Sequence, residues 1–240
     1  MATVSELRAR IGRVRERIDD AARAAGRDPR EVRLLLATKT LPDDVVRTVV
    51  EAGAGLLGEN RVQELVRHAA AVADLPGPAA PEVHLIGRLQ SNKVNALLPA
   101  GRPLVGCVQS VDSPGLAIRL DRRCAALGRH LDVMVQVNVS GEATKAGVAP
   151  VDAPALAGHV AALGWLRLVG FMTIGLNSPD ADRVRAGYAR LRRVRDAVAA
   201  DLPGARELSM GMSGDLELAV AEGATVVRVG TAVFGARPGA

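Results

Sequence analysis

Arg33-Leu34-Leu35-Leu36-Ala37-Thr38-Lys39 is apolar at successive positions and not at alternate ones. Side chains along a strand alternate between its faces, so a strand of this kind buries both, which is the mark of a parallel sheet covered by helices. Comparable runs follow at 55–59, 82–87, 104–109, 132–139, 166–173, 206–210 and 225–230, making eight predicted strands with 33–39. The apolar spacing between them predicts helices over 43–53, 60–73, 91–98, 113–128, 151–163, 179–200 and 214–222. Pro42-Asp43-Asp44, Asp112-Ser113-Pro114, Ser178-Pro179-Asp180 and Ser213-Gly214-Asp215 offer cap oxygens or early acidic charges at four of these starts.

Eight strand–helix units in about 200 residues fit an α/β fold of the closed (β/α)8 TIM-type barrel. An open doubly wound sheet is the alternative. Val4, Leu7, Ile11, Val14, Ile18, Ala22 and Ala25 form a helical stripe that ends at Gly26, giving the barrel an additional N-terminal helix. The Pro-, Gly- and Ala-rich segment 74–81 reads as a surface connection, so 1–240 is expected to be a single domain. A chain of this length buries roughly 70 to 75% of its unfolded surface and needs no covalent staples.

The net charge of +5 permits a polyanion partner, but the arginines lie along predicted helices, interleaved with acids, and read as a solvated face. Only four residues are aromatic, too few for a base-stacking platform, and no nucleic-acid partner is expected. Two cysteines, Cys107 and Cys124, and four scattered histidines give neither a disulfide framework nor a metal-ligand spacing. Charges interrupt residues 5–25, and no apolar run approaches the ~20 residues of a membrane span. The expectation is a cytoplasmic, membrane-free protein.

In a TIM-type barrel the chemistry sits at the C-terminal ends of the strands. Lys39, Glu59-Asn60-Arg61, the segments 87–93 and 138–145, Phe171-Met172-Thr173, the segment 209–213 and Gly230-Thr231 all fall there. Only three of the 31 basic residues are lysines: Lys39, Lys93 and Lys145. A lysine in a partly desolvated pocket can lose its proton and attack a carbonyl to form a Schiff base, which an arginine cannot do. A codon-driven preference for arginine is the competing explanation.

Ser209-Met210-Gly211-Met212-Ser213-Gly214-Asp215 links a strand to a helix, and Gly230-Thr231 ends the next strand. Glycines and hydroxyls after strands seven and eight suit a phosphate, although Gly211 and Gly214 also fit a plain tight turn. Arg228 shares a strand face with Gly230. Directed inward it needs a partner; directed outward it would have only a solvated tip. Amine, phosphate cradle and arginine together describe a site for pyridoxal 5'-phosphate. An arginine facing the pyridine nitrogen keeps its own proton, leaves that nitrogen neutral and damps carbanion chemistry.

Leu36-Ala37-Thr38-Lys39-Thr40, Gly58-Glu59-Asn60 with Gln63-Glu64, His84-Leu85-Ile86-Gly87 with Leu89-Gln90-Ser91-Asn92-Lys93, Val137-Asn138-Val139 with Lys145 and Gly147, Gly170-Phe171-Met172, the segment 208–213 and the segment 228–235 closely resemble the YggS/PROSC family of pyridoxal phosphate homeostasis proteins. The resemblance runs through nearly the whole chain. It implies a barrel similar to the N-terminal domain of bacterial alanine racemase. In that barrel Lys39 is the Schiff-base lysine, Ser213, Gly230 and Thr231 contact the phosphate, Arg228 faces the pyridine nitrogen and Asn60 lies beside the ring.

The family implies a carrier or regulator of vitamin B6 and amino-acid balance, without established catalysis; the chain is expected to be a monomer, with pyridoxal-phosphate-dependent apoenzymes as candidate partners. A racemase-like enzyme is the alternative. In the racemase the opposing tyrosine comes from an additional domain, whereas the only tyrosine here, Tyr188, lies in a predicted outer helix. Leu41 and Arg61 depart from the lysine and tyrosine of many relatives. Lys145 resembles a family lysine near the pocket mouth, with an ordinary loop lysine as the other reading, and Lys93 reads as part of a structural turn.

Overall fold

Eight parallel strands follow one another in chain order around a closed barrel, and the last hydrogen-bonds back to the first. The computed structural model describes residues 2–75, 81–101, 104–142 and 145–235. The strands are β1 Arg33–Ala37, β2 Leu56–Glu59, β3 Glu82–Leu85, β4 Cys107–Val111, β5 Leu131–Gln136, β6 Leu166–Met172, β7 Glu207–Ser209 and β8 Val226–Val229. Around them lie α1 Val4–Ala24, α2 Asp43–Glu51, α3 Val62–Ala71, α4 Val94–Leu97, α5 Pro114–Leu127, α6 Ala153–Ala161, α7 Ala181–Ala199, α8 Leu216–Ala221 and α9 Thr231–Phe234. The closed barrel disposes of the open-sheet alternative. Of the expected connection 74–81, residues 76–80 lie outside the described residues.

The apolar residues divide into two layers. Leu34, Leu36, Leu57, Val83, Val108 and Val227 belong to the main core, which packs the outer barrel face against the helices. Leu35, Leu56 and Val226 cluster with Ile86, and Cys107 with Met134 and Met172, on the inward face. This alternation is why each strand is apolar on both sides. Leu35 pairs in register with Arg228, so the inward positions of β1 lead to Lys39 and those of β8 to Gly230.

Several boundaries differ from the sequence expectation. The strand expected over 33–39 ends at Ala37, because Thr38 to Leu41 turns, with the Leu41 N–H on the Thr38 carbonyl at 3.1 Å and Thr40 at φ 67°. The strand expected at 104–109 is shifted to Cys107–Val111 and carries a bulge. The helix expected at 91–98 is a 3-10 turn, Ser91–Lys93, followed by the single turn of α4. The strand expected over 132–139 stops at Gln136, since the Asn138 carboxamide oxygen accepts from the Ser140 and Gly141 N–H groups, both at 3.2 Å, and folds the chain into a loop. Ser113 and Asp180 cap α5 and α7 as expected, whereas the Pro42-Asp43-Asp44 start has no side-chain cap.

The arginines of α1 do more than form a solvated face. Arg8, Arg10, Arg15 and Arg17 donate to the backbone carbonyls of Glu51, Val233, Val32 and Ser213. A carbonyl left without a donor at a helix or strand end is costly, and these guanidinium groups supply one. Thus α1 ties itself to α9 and to the loop after β7, both of which border the C-terminal mouth of the barrel.

Candidate functional site

A cavity of about 480 Å³ opens at that mouth, within the range of small-molecule sites. Lys39, Asn60, Ser213, Arg228, Gly230 and Thr231 all line it, together with Ile86, Gly87, Gln136, Ile174 and Met212. The first six come from β1, β2, β7 and β8 and the segments that follow them, and the other five from the ends of β3, β5 and β6 and the loop after β7.

Lys39 stands in the turn that follows β1, partly buried, behind which Thr38 and Glu59 are fully buried on the outer barrel face. Asn60 follows β2. Gly87 is required beside it, because a Cβ there would lie 2.1 Å from the Asn60 carbonyl oxygen. On the opposite side, the Ser213 hydroxyl oxygen accepts from Thr231 Oγ1 at 3.2 Å and from the Ala232 N–H at 3.3 Å. Two hydroxyls and the first backbone N–H groups of α9 therefore converge on one corner, an arrangement suited to an anion. Arg17 reaches this loop from below and holds the Ser213 carbonyl at 3.0 Å.

Arg228 points into the barrel, not out of it, and is 6% exposed. Its Nη1 donates to Ser209 Oγ at 2.8 Å and its Nη2 to the Thr173 carbonyl at 2.6 Å. Burial pushes its pKa down to about 10, opposed by Tyr188 and Asp215, so the guanidinium keeps its charge at neutral pH. Both of these acceptors are uncharged, and the group has further N–H donors to offer the cavity.

Lys93 and Lys145 do not line this cavity. Lys93 ends the Ser91–Lys93 turn, where its N–H bonds to the Gln90 carbonyl at 2.9 Å. Lys145 borders a neighbouring cavity of about 410 Å³, with Nζ 2.8 Å from Glu142 and 3.2 Å from the Gly175 carbonyl. Ile174 and Met212 line both cavities. Sequence reading missed Gln136, Ile174 and Met212 as wall residues, and it missed the inward polar residues His84 and Gln109 beneath Arg228. The signal for Gln136, His84 and Gln109 was a polar residue at an inward position on an otherwise apolar strand, whereas Ile174 and Met212 lie in loops.

An amine, a hydroxyl-and-amide anion corner and an arginine on one small cavity suit a molecule with an electrophilic carbon, an anionic group and a hydrogen-bond acceptor between them. A family profile described as alanine racemase, N-terminal domain, matches residues 11–238. The pyridoxal phosphate homeostasis protein of Pseudomonas aeruginosa is 46% identical over 237 residues, covering 99% of this chain and 97% of that protein. The chain belongs to the YggS/PROSC family of pyridoxal phosphate homeostasis proteins.

Solved structures share the fold. A Bifidobacterium adolescentis protein superposes with a TM-score of 0.88 at 41% identity, covering 96% of this chain and 95% of that one. PipY of Synechococcus elongatus, solved with PLP bound, superposes with a TM-score of 0.80 at 34% identity, covering 95% of this chain and all of the other. Among the described residues of the present chain, no helix is long and apolar enough to cross a membrane.

Proposed function

We propose that this chain binds pyridoxal 5'-phosphate covalently at Lys39 and serves vitamin B6 and amino-acid homeostasis as a carrier or buffer, without a reaction of its own. The observation that carries this reading is the convergence of Lys39, Arg228, Ser213 and Thr231 on one cavity. When bound, the cofactor supplies a reactive aldehyde and an electron-withdrawing ring. Lys39 provides the amine for the aldehyde, Ser213, Gly230 and Thr231 hold the phosphate, Asn60 lies beside the ring and Arg228 faces its nitrogen. One barrel domain over 1–240, acting as a cytoplasmic monomer, carries the site and releases the cofactor to apoenzymes that depend on it.

Two features support a carrier over a racemase-like enzyme. A charged arginine at the ring nitrogen does not hand over its proton, so the ring remains a weak electron sink. Proton transfer on both faces of a bound amino acid also needs a second donor opposite the lysine. Tyr188 is fully buried in α7, donates to Asp215 at 2.7 Å and is not among the residues that line the cavity.

Borohydride reduction of the protein loaded with pyridoxal phosphate, followed by peptide mapping, should find the pyridoxyl group on Lys39. A label found mainly on Lys93 or Lys145, with the visible absorbance intact in Lys39→Ala, overturns the assignment. Solvent deuterium exchange at the alpha carbon of alanine, well above the rate with cofactor alone, would restore the enzyme reading.

A further inference from the structure

Beneath Arg228 a line of hydrogen bonds crosses the barrel interior. Ser209 Oγ, which accepts from Arg228, lies 2.6 Å from Gln109 Oε1. Gln109 Nε2 lies 2.7 Å from His84 Nδ1, and His84 Nε2 lies 2.6 Å from Glu82 Oε1. Glu82 also pairs with Arg33 at the other end of the barrel. Ser209 is on β7 and Gln109 on β4, strands that are not neighbours, so their bond spans the lumen. Ser209 and Gln109 are fully buried and His84 is 2% exposed.

The chemistry of the two ends fixes every donor between them. A guanidinium only donates, so the Ser209 oxygen accepts and its single proton turns toward Gln109 Oε1. The Gln109 amide nitrogen also only donates, so His84 Nδ1 presents its lone pair. The ring proton is therefore on Nε2 and goes to the Glu82 carboxylate. If the amide were reversed, the Ser209 oxygen would receive donors from both sides and its own proton would lose its acceptor. A proton on His84 Nδ1 would set donor against donor. The row has one polarity, dictated by a cation at the top and a carboxylate at the bottom.

We propose that Ser209, Gln109 and His84 are positioning residues that fix the guanidinium of Arg228 in the plane where it meets the ring nitrogen of pyridoxal phosphate. None of the three is among the residues lining the cofactor cavity. This inference rests on the proposed function for the identity of the ligand, but the order of hydrogen bonds is a property of the protein alone. It distinguishes the row from polar residues that merely fill the lumen: a filler affects stability, whereas a positioning row also determines what Arg228 does to the ring.

Two measurements test it. In the cofactor-free protein, nitrogen-15 NMR of His84 should show the proton on Nε2 and a lone pair on Nδ1. In the loaded protein, Gln109→Leu and Ser209→Ala still carry the reduced label on Lys39. Their bound-chromophore absorbance maximum moves, and the dissociation constant for pyridoxal phosphate rises about tenfold, the effect of one buried donor left without its partner. Ser209→Thr, which keeps the hydroxyl, restores both.

Folded Gln109→Leu and Ser209→Ala proteins with unchanged absorbance and affinity overturn the proposal. So does a His84 proton found on Nδ1, which can be read in the wild-type chain even if a variant fails to fold. A wild-type chain that takes up no pyridoxal phosphate overturns the proposed function instead, and the His84 tautomer then decides the hydrogen-bond row alone.

Discussion

His68 Nδ1 lies 2.6 Å from the Glu59 carboxylate, and neither side chain reaches solvent. The same carboxylate oxygen accepts from the Thr38 hydroxyl, next in sequence to Lys39. His68 Nε2 lies 3.0 Å from the Leu41 carbonyl, on the far side of the Lys39 turn. The pair therefore braces both arms of the turn that presents the lysine.

This brace makes stability depend on pH. Burial disfavours charge on His68, but the hydrogen bond and charge of Glu59, aided by the Leu41 carbonyl, prevail and raise its pKa above the ordinary 6.5. The folded chain therefore holds the proton more tightly than the unfolded one. This stabilisation is complete below pH 6.5 and is lost as pH rises through the raised value. Urea denaturation should show a midpoint that falls from about pH 6 to about pH 8.5. Glu59→Gln should cost about 2 kcal/mol at the lower pH and flatten that slope. An equal slope in the variant would remove His68 as its source.

Ser213→Ala separates the anion corner from the rest of the site. Ser213 accepts from Thr231 Oγ1 and the Ala232 N–H, so its loss removes one proposed phosphate donor and unties another. Affinity for pyridoxal phosphate should fall about tenfold, while affinity for pyridoxal, which lacks the phosphate, stays the same. Titration with both compounds checks this, and equal losses for the two would place the phosphate elsewhere.

Arg228→Lys tests whether charge alone suffices. The guanidinium reaches Ser209 Oγ at 2.8 Å and the Thr173 carbonyl at 2.6 Å with separate nitrogens. One ammonium group lacks the planar fork that spans both. The expected result is a folded protein with about tenfold weaker cofactor binding, since one buried acceptor loses its donor. Wild-type affinity in the lysine variant would show that the fork is dispensable.

The barrel was legible because its strands are apolar on both faces and the segments between them carry helical apolar spacing, with Ser113 and Asp180 capping two of the helix starts, signals that depend only on local sequence. The shift of β4 shows where that reading fails. Leu104 and Val105 extend the apolar run backward, while Gln109 and Ser110, fully buried, look like the end of a strand. Polar residues inside a strand mean little until the partner across the barrel is known, and Gln109 finds its partner on β7, 100 residues away. The six candidate residues were legible because they sit at strand ends in family-specific blocks. The hydrogen-bond row beneath them depends on closure of the barrel, which no local window contains.

The loop that carries Ser213 owes its shape to Gly211. This residue has φ +89°, and a Cβ there would lie 2.4 Å from the Ala219 Cβ in α8. Its carbonyl accepts from the Arg228 N–H at 3.0 Å, joining the loop to β8. Gly211→Ala combines a disfavoured backbone with overpacking and should cost about 2 kcal/mol. Displacing the loop also displaces Ser213, so cofactor affinity should fall with stability. Gly214 is the control, further along the same loop: it lacks a positive φ, and a Cβ there would meet nothing within 4 Å. Gly214→Ala should change stability by no more than about 0.5 kcal/mol. Urea denaturation of the two variants decides the point. Equal losses would mean that the loop as a whole is intolerant of side chains, whereas a loss confined to Gly211→Ala locates the constraint at the contact with α8.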